Sequence, residues 1–571
     1  MPSPILVASD AWRNFWVAFR NFRLSLSRRP LDYIFIELYG ELPEYTPGLP
    51  FWRRFISIPF IAEETPGPTM ASLRYALDLI ANDPKPKGVV VRLDGIQIGW
   101  ATAQGLRRAL TRFRESGKKV VVYADDFDTL KYYIASAADQ IITPPVGGWN
   151  VVGLRIETVF VAEALKFLDL EAEVISVSPY KDGGDALTRT DISPESRENL
   201  NSLLDAYYEE LTAAIAQGRG LDQEEVRSLI DRAPFQAADA MESGLVDKVL
   251  YQDELEEFLA DLEGSKRLIY IPLAQAWKRF HRPVEWRSGN LIGVISFEGV
   301  LTTGSSRRVP VPVPVPLVGN TRVGQEDVVD ALRKAERDGS MAAVVIYVDS
   351  RGGSALASDL IWREIDRLNK KKPVVIYMNE IAASAAYYIS VGGSWIISQP
   401  LTLTGSIGVL FVRLITRGLV DRLRINRVSL KRGEHAGIYS DDRKLDPDEH
   451  EIIRKHVFDL FDRFNNRVTS GRGIDENLLK EIGEGRVWLG SQAAERKLVD
   501  QLGDFEDALA KARELAGLPN KRKTPHVWIS SHGGSMLPLP ALSQPAEYLA
   551  LFRKFTEELY WMIPPIDIRV K

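Results

Sequence analysis

The chain has 571 residues, 45% hydrophobic and 26% charged, with 72 Lys and Arg against 77 Asp and Glu for a net charge of −5. Such a length suggests roughly two to four domains, and the balanced charge gives no whole-chain reason to bind nucleic acid. There is no cysteine, which excludes disulfides, Cys-ligated zinc, iron–sulfur clusters and thiol nucleophiles. The six histidines begin only at His281, so a histidine-based site would have to come from the second half. His450 and His456 are six apart, a poor spacing for a helical metal pair, and no metal site or cofactor is expected.

In chain order, the first expected element is an amphipathic helix within residues 1–30. Trp12, Phe15, Trp16, Phe19 and Phe22 recur near the helical period, accompanied by Arg13, Arg20, Arg23, Arg28 and Arg29. No acid lies between Ala11 and Pro30. The pattern suits a helix lying in a lipid interface, or one whose aromatics pack on the body or on another subunit. No window of about 18 apolar residues is present, so no transmembrane helix is expected, nor is there a signal-peptide pattern.

The rest of the chain repeats itself. VVVRLDG at 89–95 matches VVIYVDS at 344–350, and YYI at 132–134 matches YYI at 387–389, both 255 residues apart. GRG at 218–220 matches GRG at 471–473, and LVD at 245–247 matches LVD at 498–500, both 253 apart. Register held over such a length implies duplication. The expected organisation is a segment 1–30, a first repeat 31–283, a second repeat 284–526 and a tail 527–571. In the second repeat, apolar runs at 291–297, 343–349, 373–379 and 395–400 read as buried strands. Helical periodicity falls between them at Gln325–Arg337 and Ser358–Lys370, which implies parallel strands with crossover helices, an α/β fold. The Pro-alternating stretch 309–316 lacks backbone donors and reads as an extended loop, as does the Pro-rich run from Glu41 to Pro68. The aromatic stretch 548–563 reads as a packing segment.

The repeats differ where chemistry could reside. A strand-to-helix turn, SRGGS at 350–354, places Gly352 and Gly353 where the first repeat has Gln97 and Ile98. Paired glycines there let backbone amides approach a ligand. Ser384 lies among small residues where the first repeat has Thr129, and Ser406 stands against Val151. Conversely, Lys181 of the first repeat corresponds to Ala436. This complementary loss suggests one composite site. A serine needs a base, and the residues alone leave Lys181, Lys431 and His435 open. Lys181, beside Asp182 and Asp185, also reads as an ordinary solvated loop lysine.

AASAAYYI (382–389), SRGGS (350–354), TGSIG (404–408) and YKDGGDALTRTDIS (180–193) resemble, in order and by repeat, the motifs of the signal peptide peptidase A family in its long two-repeat form. The resemblance spans about residues 31–520. It implies a tandem duplication of a ClpP/crotonase-like domain, a spiral of ββα units. It implies Ser384 as nucleophile, Lys181 as general base and Ser406 as the hydroxyl that orients the lysine. The amides of Gly353 and Ala385 would form the oxyanion hole, with Gly352 supporting the turn. It further implies a membrane-associated homotetramer, at the cytoplasmic membrane, that degrades short apolar peptides such as cleaved signal peptides. Three features depart from the family pattern: Ala385–Ala386 replace a GG pair, Arg351 replaces a proline, and the usual N-terminal transmembrane anchor is missing, which leaves segment 1–30 as the expected peripheral contact. Two other functions fit the same fold: a catalytically weakened scaffold, and crotonase-type acyl-CoA chemistry.

Overall fold

The computed structural model describes residues 4–27, 30–46, 67–308, 321–520, 522–530 and 560–562. The Pro-alternating stretch 309–316 and residues 47–66 of the first Pro-rich run lie outside them, as does most of 548–563. The chain forms two compact units, one of residues 2–155 and 206–286, the other of residues 156–205 and 287–570.

The first unit is built on a six-stranded, wholly parallel sheet. Its order is Tyr270–Pro272, Tyr33–Gly40, Gly88–Ile96, Lys119–Tyr123, Gln140–Thr143, Lys248–Val249. Val89, Val90 and Val91 are fully buried, as the continuous apolar run demands of a strand covered on both faces. The helices Met70–Asn82 and Trp100–Glu115 follow their strands as crossovers. Helix Pro4–Ser25 belongs to this unit and has an inverted amphipathic arrangement. Its polar side docks: Asn14 donates to the Glu285 carbonyl (2.9 Å), Arg20 to that of Phe280 (2.9 Å) and Asn21 to that of Arg282 (2.8 Å). Its aromatic ladder of Trp12, Phe15, Trp16, Phe19 and Phe22 stays exposed, Trp12 at 66%. Among the described residues, no helix is long and apolar enough to cross a membrane.

The second unit carries a central sheet ordered Val487–Leu489, Leu403–Gly405, Val374–Ala383, Met341–Ser350, Leu291–Glu298, His526–Ile529. All neighbours are parallel except the first pair. Helix Gln325–Arg337 falls where the periodicity places it, and helix Ala355–Asn369 starts before the expected Ser358 and ends at Asn369 rather than Lys370. A second sheet runs Thr321–Gly324, Val300–Thr302, Gly353–Ser354, Tyr560–Met562, Leu410–Ile415, Glu171–Ser176. Its last strand belongs by sequence to the first repeat. It pairs antiparallel with Leu410–Ile415 over six residues, from Ser176 opposite Leu410 to Glu171 opposite Ile415. The compact units therefore cut across the sequence repeats: residues 156–205 fold with the second repeat's elements.

The short motifs that repeat along the chain mark one arrangement built twice. Tyr132 donates its hydroxyl to the Leu245 carbonyl at 2.7 Å, and Tyr387 does the same to Leu498 at 2.9 Å. Arg219 forms a bidentate pair with Asp247 (2.8 and 2.9 Å), and Arg472 with Asp500 (2.7 and 2.8 Å). Gly218 and Gly471 let the long helices press on the preceding segment; a Cβ would lie 1.8 Å from the Ser136 carbonyl oxygen and 2.5 Å from that of Val391. YYI, LVD and GRG thus serve as the tyrosine donor, its acceptor with a paired aspartate, and the arginine beside a required glycine.

Candidate active site

Strand Val374–Ala383 ends in a sharp turn at Ser384, and helix Ala385–Ser390 starts at once. Ser384 has φ 57° and ψ −113°, a sparsely populated conformation for a residue with a side chain. Its amide donates to the Gly405 carbonyl (2.8 Å), and its carbonyl accepts from the Tyr388 amide (2.8 Å), so both sides of the turn are fixed. The small residues around it are packing requirements: Ala382, Ala383, Ala385 and Ala386 are all fully buried.

Strand Leu403–Gly405 pairs with the end of Val374–Ala383, Ala383 opposite Gly405. That register delivers Ser406 beside Ser384. Ser406 also has positive φ (52°), and its amide donates to the Arg486 carbonyl (2.6 Å). Lys181 arrives from the other direction, in the turn that follows strand Glu171–Ser176. Its Nζ lies 2.7 Å from Ser384 Oγ, 2.8 Å from Ser406 Oγ and 2.9 Å from the Ser406 carbonyl oxygen. All three side chains are buried, Lys181 at 1% exposure and both serines at 0%. Burial pushes the lysine well below its ordinary value, with Asp182 pulling the other way. Three contacts suit both protonation states. An ammonium has three N–H donors, whereas the neutral amine can donate to the two Ser406 oxygens and accept the Ser384 hydroxyl proton on its lone pair.

Residues not singled out in the sequence build the slot for this lysine. Gly485 has φ +94°, and a Cβ there would lie 2.6 Å from the Lys181 backbone N and Cα. A Cβ on Gly408 would meet Lys181 Cδ at 3.1 Å. The Ser178 hydroxyl donates to the Glu484 carbonyl, Arg486 stacks over Tyr180 (3.6 Å), and both Arg486 and Tyr180 donate to Glu198 at 2.9 Å. A signal for Gly485 was present: at the 253-residue offset it aligns with Arg232, another place where the repeats differ. Buried Asp182 sits next to the lysine; burial pushes its carboxyl up to about 7, while the Ser196 hydroxyl pulls it down and Asp185 raises it further.

The SRGGS turn reaches the same place. Gly352 and Gly353 have φ +105° and +155°; a Cβ on Gly352 would stand 2.9 Å from the Ala385 amide nitrogen. Gly353 pairs with Leu301 on one side and Met562 on the other; a Cβ on it would lie 2.0 Å from the Leu301 carbonyl oxygen, and one on Gly352 would lie 2.1 Å from that of Met562. Arg351 is partly exposed. The alternative bases do not converge here: Lys431 and His435 are exposed on a surface loop, while Ser384 is fully buried. In the first unit, the Thr129 hydroxyl donates to the Gly153 carbonyl (3.3 Å), and Val151 fills the place corresponding to Ser406. Among the described residues, no cluster of His, Cys, Asp and Glu is arranged to hold a metal.

A serine on a strained strand-to-helix turn of a parallel α/β sheet, in contact with a desolvated lysine, defines the class of serine hydrolases that dispense with histidine. The family model of peptidase family S49 matches the chain twice, at residues 112–266 and 366–519. The chain belongs to peptidase family S49, in its long two-repeat form, and is a serine peptidase. It is 30% identical over 457 residues to the chloroplastic serine protease SPPA of Arabidopsis thaliana, covering 80% of this chain and 67% of that one. It is 28% identical over 458 residues to Protease 4 of Haemophilus influenzae, covering 77% and 72%. Among solved structures, ClpP1 of Listeria monocytogenes aligns at 16% identity with a TM-score of 0.24, over 38% of this chain and 94% of that one. The tandem α/β repeats agree with the expected duplication.

Proposed function

We propose that the chain hydrolyses short, apolar, extended peptides such as released signal peptides, with Ser384 as nucleophile and Lys181 as general base. The observation that carries this reading is the 2.7 Å contact between Lys181 Nζ and Ser384 Oγ, with both groups buried. The neutral lysine takes the Ser384 hydroxyl proton as Oγ attacks the substrate carbonyl carbon. The oxyanion receives the amides of Gly353 and Ala385, each worth roughly 3 kcal/mol in such a role. Ala385 in place of glycine leaves this donor intact, because the donor is backbone. Lys181 then gives its proton to the leaving amine as the C–N bond breaks. Water, deprotonated by the same lysine, releases the acyl group from Ser384. Ser406 holds the amine through its hydroxyl and carbonyl in both states.

The test is peptidase activity of three variants. Ser384→Ala and Lys181→Ala are expected to lose it, the latter by about 10²–10⁴-fold, the usual span for a general base. His435→Ala is expected to retain it. Retained activity in Lys181→Ala overturns the dyad.

The same reading places the enzyme at the surface of the cytoplasmic membrane as a homotetramer. The docked helix Pro4–Ser25, with its aromatic ladder outward, supports the membrane contact. Light scattering of the purified chain tests the subunit number; a monomer at micromolar concentration overturns the tetramer.

A further inference from the structure

We propose that Arg486 is a positioning residue for the reaction: it closes the slot of Lys181 on the solvent side and fixes Ser406 behind it. The inference rests on the assignment of Lys181 as general base. Residues 484–486 bond to both halves of the site. Towards the TGSIG segment, the Gly485 amide donates to the Ile407 carbonyl (2.8 Å), and the Arg486 carbonyl accepts from the Ser406 amide (2.6 Å). Towards the lysine turn, the Glu484 carbonyl accepts from the Ser178 hydroxyl, and the Arg486 guanidinium lies over the Tyr180 ring, 3.6 Å from its centroid. Glu198, on helix Pro194–Arg219, fixes this stack. One of its carboxylate oxygens accepts from Arg486 and the other from the Tyr180 hydroxyl, both at 2.9 Å.

The stack sits at the boundary between solvent and the buried amine. Tyr180 is exposed and the Arg486 side chain is 23% exposed, whereas Lys181, the next residue after Tyr180, is at 1%. A guanidinium can lie flat on a ring and still donate in its own plane, which an ammonium cannot. Among the described residues, the charged groups about the lysine turn are Asp182, Asp185 and Arg189 on its own segment, Glu484 and Arg486 on the opposing turn, and Glu195 and Glu198 on the helix. The nearest of them, Asp182, favours the ammonium, so a neutral amine depends on keeping water out. The repeats tie the stack to the site. Arg486 corresponds to Ala233 at the 253-residue offset, and Tyr180 to His435 at the 255-residue offset. Each repeat supplies one half of the stack and lacks the other, as with Lys181 and Ser384, whereas the scaffold contacts are kept in both.

The pH dependence of kcat for an uncharged apolar peptide tests the proposal in the full chain and its variants. Arg486→Ala and Tyr180→Leu each remove the stack from one side, and Arg486→Lys keeps the charge without the planar cover. All three are expected to move the rising limb by about one pH unit to higher pH, so that activity below the limb falls about tenfold and recovers above it, with KM little changed. Recovery at high pH shows that the variant is folded. Arg496→Ala is the control: its guanidinium stacks 4.0 Å from the centroid of Trp488, on strand Val487–Leu489, and its loss is expected to leave the limb in place. A limb unmoved in Arg486→Ala or Tyr180→Leu overturns the proposal, as does activity that does not recover at high pH. A limb moved in Arg486→Ala but not in Arg486→Lys, or moved equally in Arg496→Ala, overturns it too. The base is judged separately: activity kept in Lys181→Ala sinks the dyad, whereas an inactive Lys181→Ala beside an unmoved limb in Arg486→Ala sinks only the role of Arg486.

Discussion

Gly485 stands against Lys181 so closely that a methyl group on it would lie 2.6 Å from the lysine's own backbone. The turn bearing Lys181 is thus packed backbone to backbone against a residue about 300 positions away in sequence. Gly485→Ala is expected to lower kcat by about 10²-fold with little change in KM, the size of effect that follows from misplacing a catalytic group by about 1 Å. Gly408→Ala serves as the milder comparison, because its added methyl meets the flexible Cδ of Lys181 at 3.1 Å. Steady-state kinetics of both variants checks the ranking.

On the proposed mechanism Lys181 must be neutral to accept the serine proton, and burial holds it well below its ordinary 10.5. Activity is therefore expected to rise with pH through that depressed value and to level off well short of pH 10.5. A kcat/KM profile for an uncharged apolar peptide measures the limb. A limb still rising at pH 10.5 would show that the amine is not desolvated in the working enzyme.

Asp182 gives a stability prediction of definite sign. Its carboxyl moves from 3.8 to about 7 on folding, so between these values the native chain binds more protons than the unfolded one. Its contribution to stability is therefore present at low pH and is lost as pH rises from about 4 to about 7. Asp182→Asn is expected to remove this slope. Urea midpoints of the variant and the parent at pH 5 and pH 7 check it: the parent should lose more stability between the two than the variant does.

The exposed aromatics of helix Pro4–Ser25 contribute little to its docking, which runs through Asn14, Arg20 and Asn21. Trp16→Glu with Phe19→Glu is therefore expected to leave thermal stability unchanged and to reduce sedimentation with anionic vesicles several-fold. Unchanged sedimentation would assign the ladder to contact with protein.

Much of this arrangement was legible in the sequence because duplication supplies its own control. Motifs kept in both repeats proved to be the tyrosine–carbonyl and arginine–aspartate contacts of the scaffold, and positions that differ proved to gather at the site. The strands were readable because buried parallel strands are continuous apolar runs, as at 343–349. The fold partner of residues 156–205 was not legible, because pairing between Glu171–Ser176 and Leu410–Ile415 leaves no local pattern. The strand Tyr560–Met562 was equally hidden: it is three residues long, and its pairing depends on two edges far away in sequence.

The discontinuity of the second unit also bears on synthesis. Lys181 and Ser384 are 203 residues apart, and the glycine that seats the lysine comes about 100 residues later still. A ribosome finishing the first repeat has made Lys181 without Ser384, and one halfway through the second has made both without Gly485. If the two residues act as proposed, the growing chain carries no assembled pair until the slot that joins them follows. On the proposed mechanism, catalytic competence waits until the segment around Gly485 has been made.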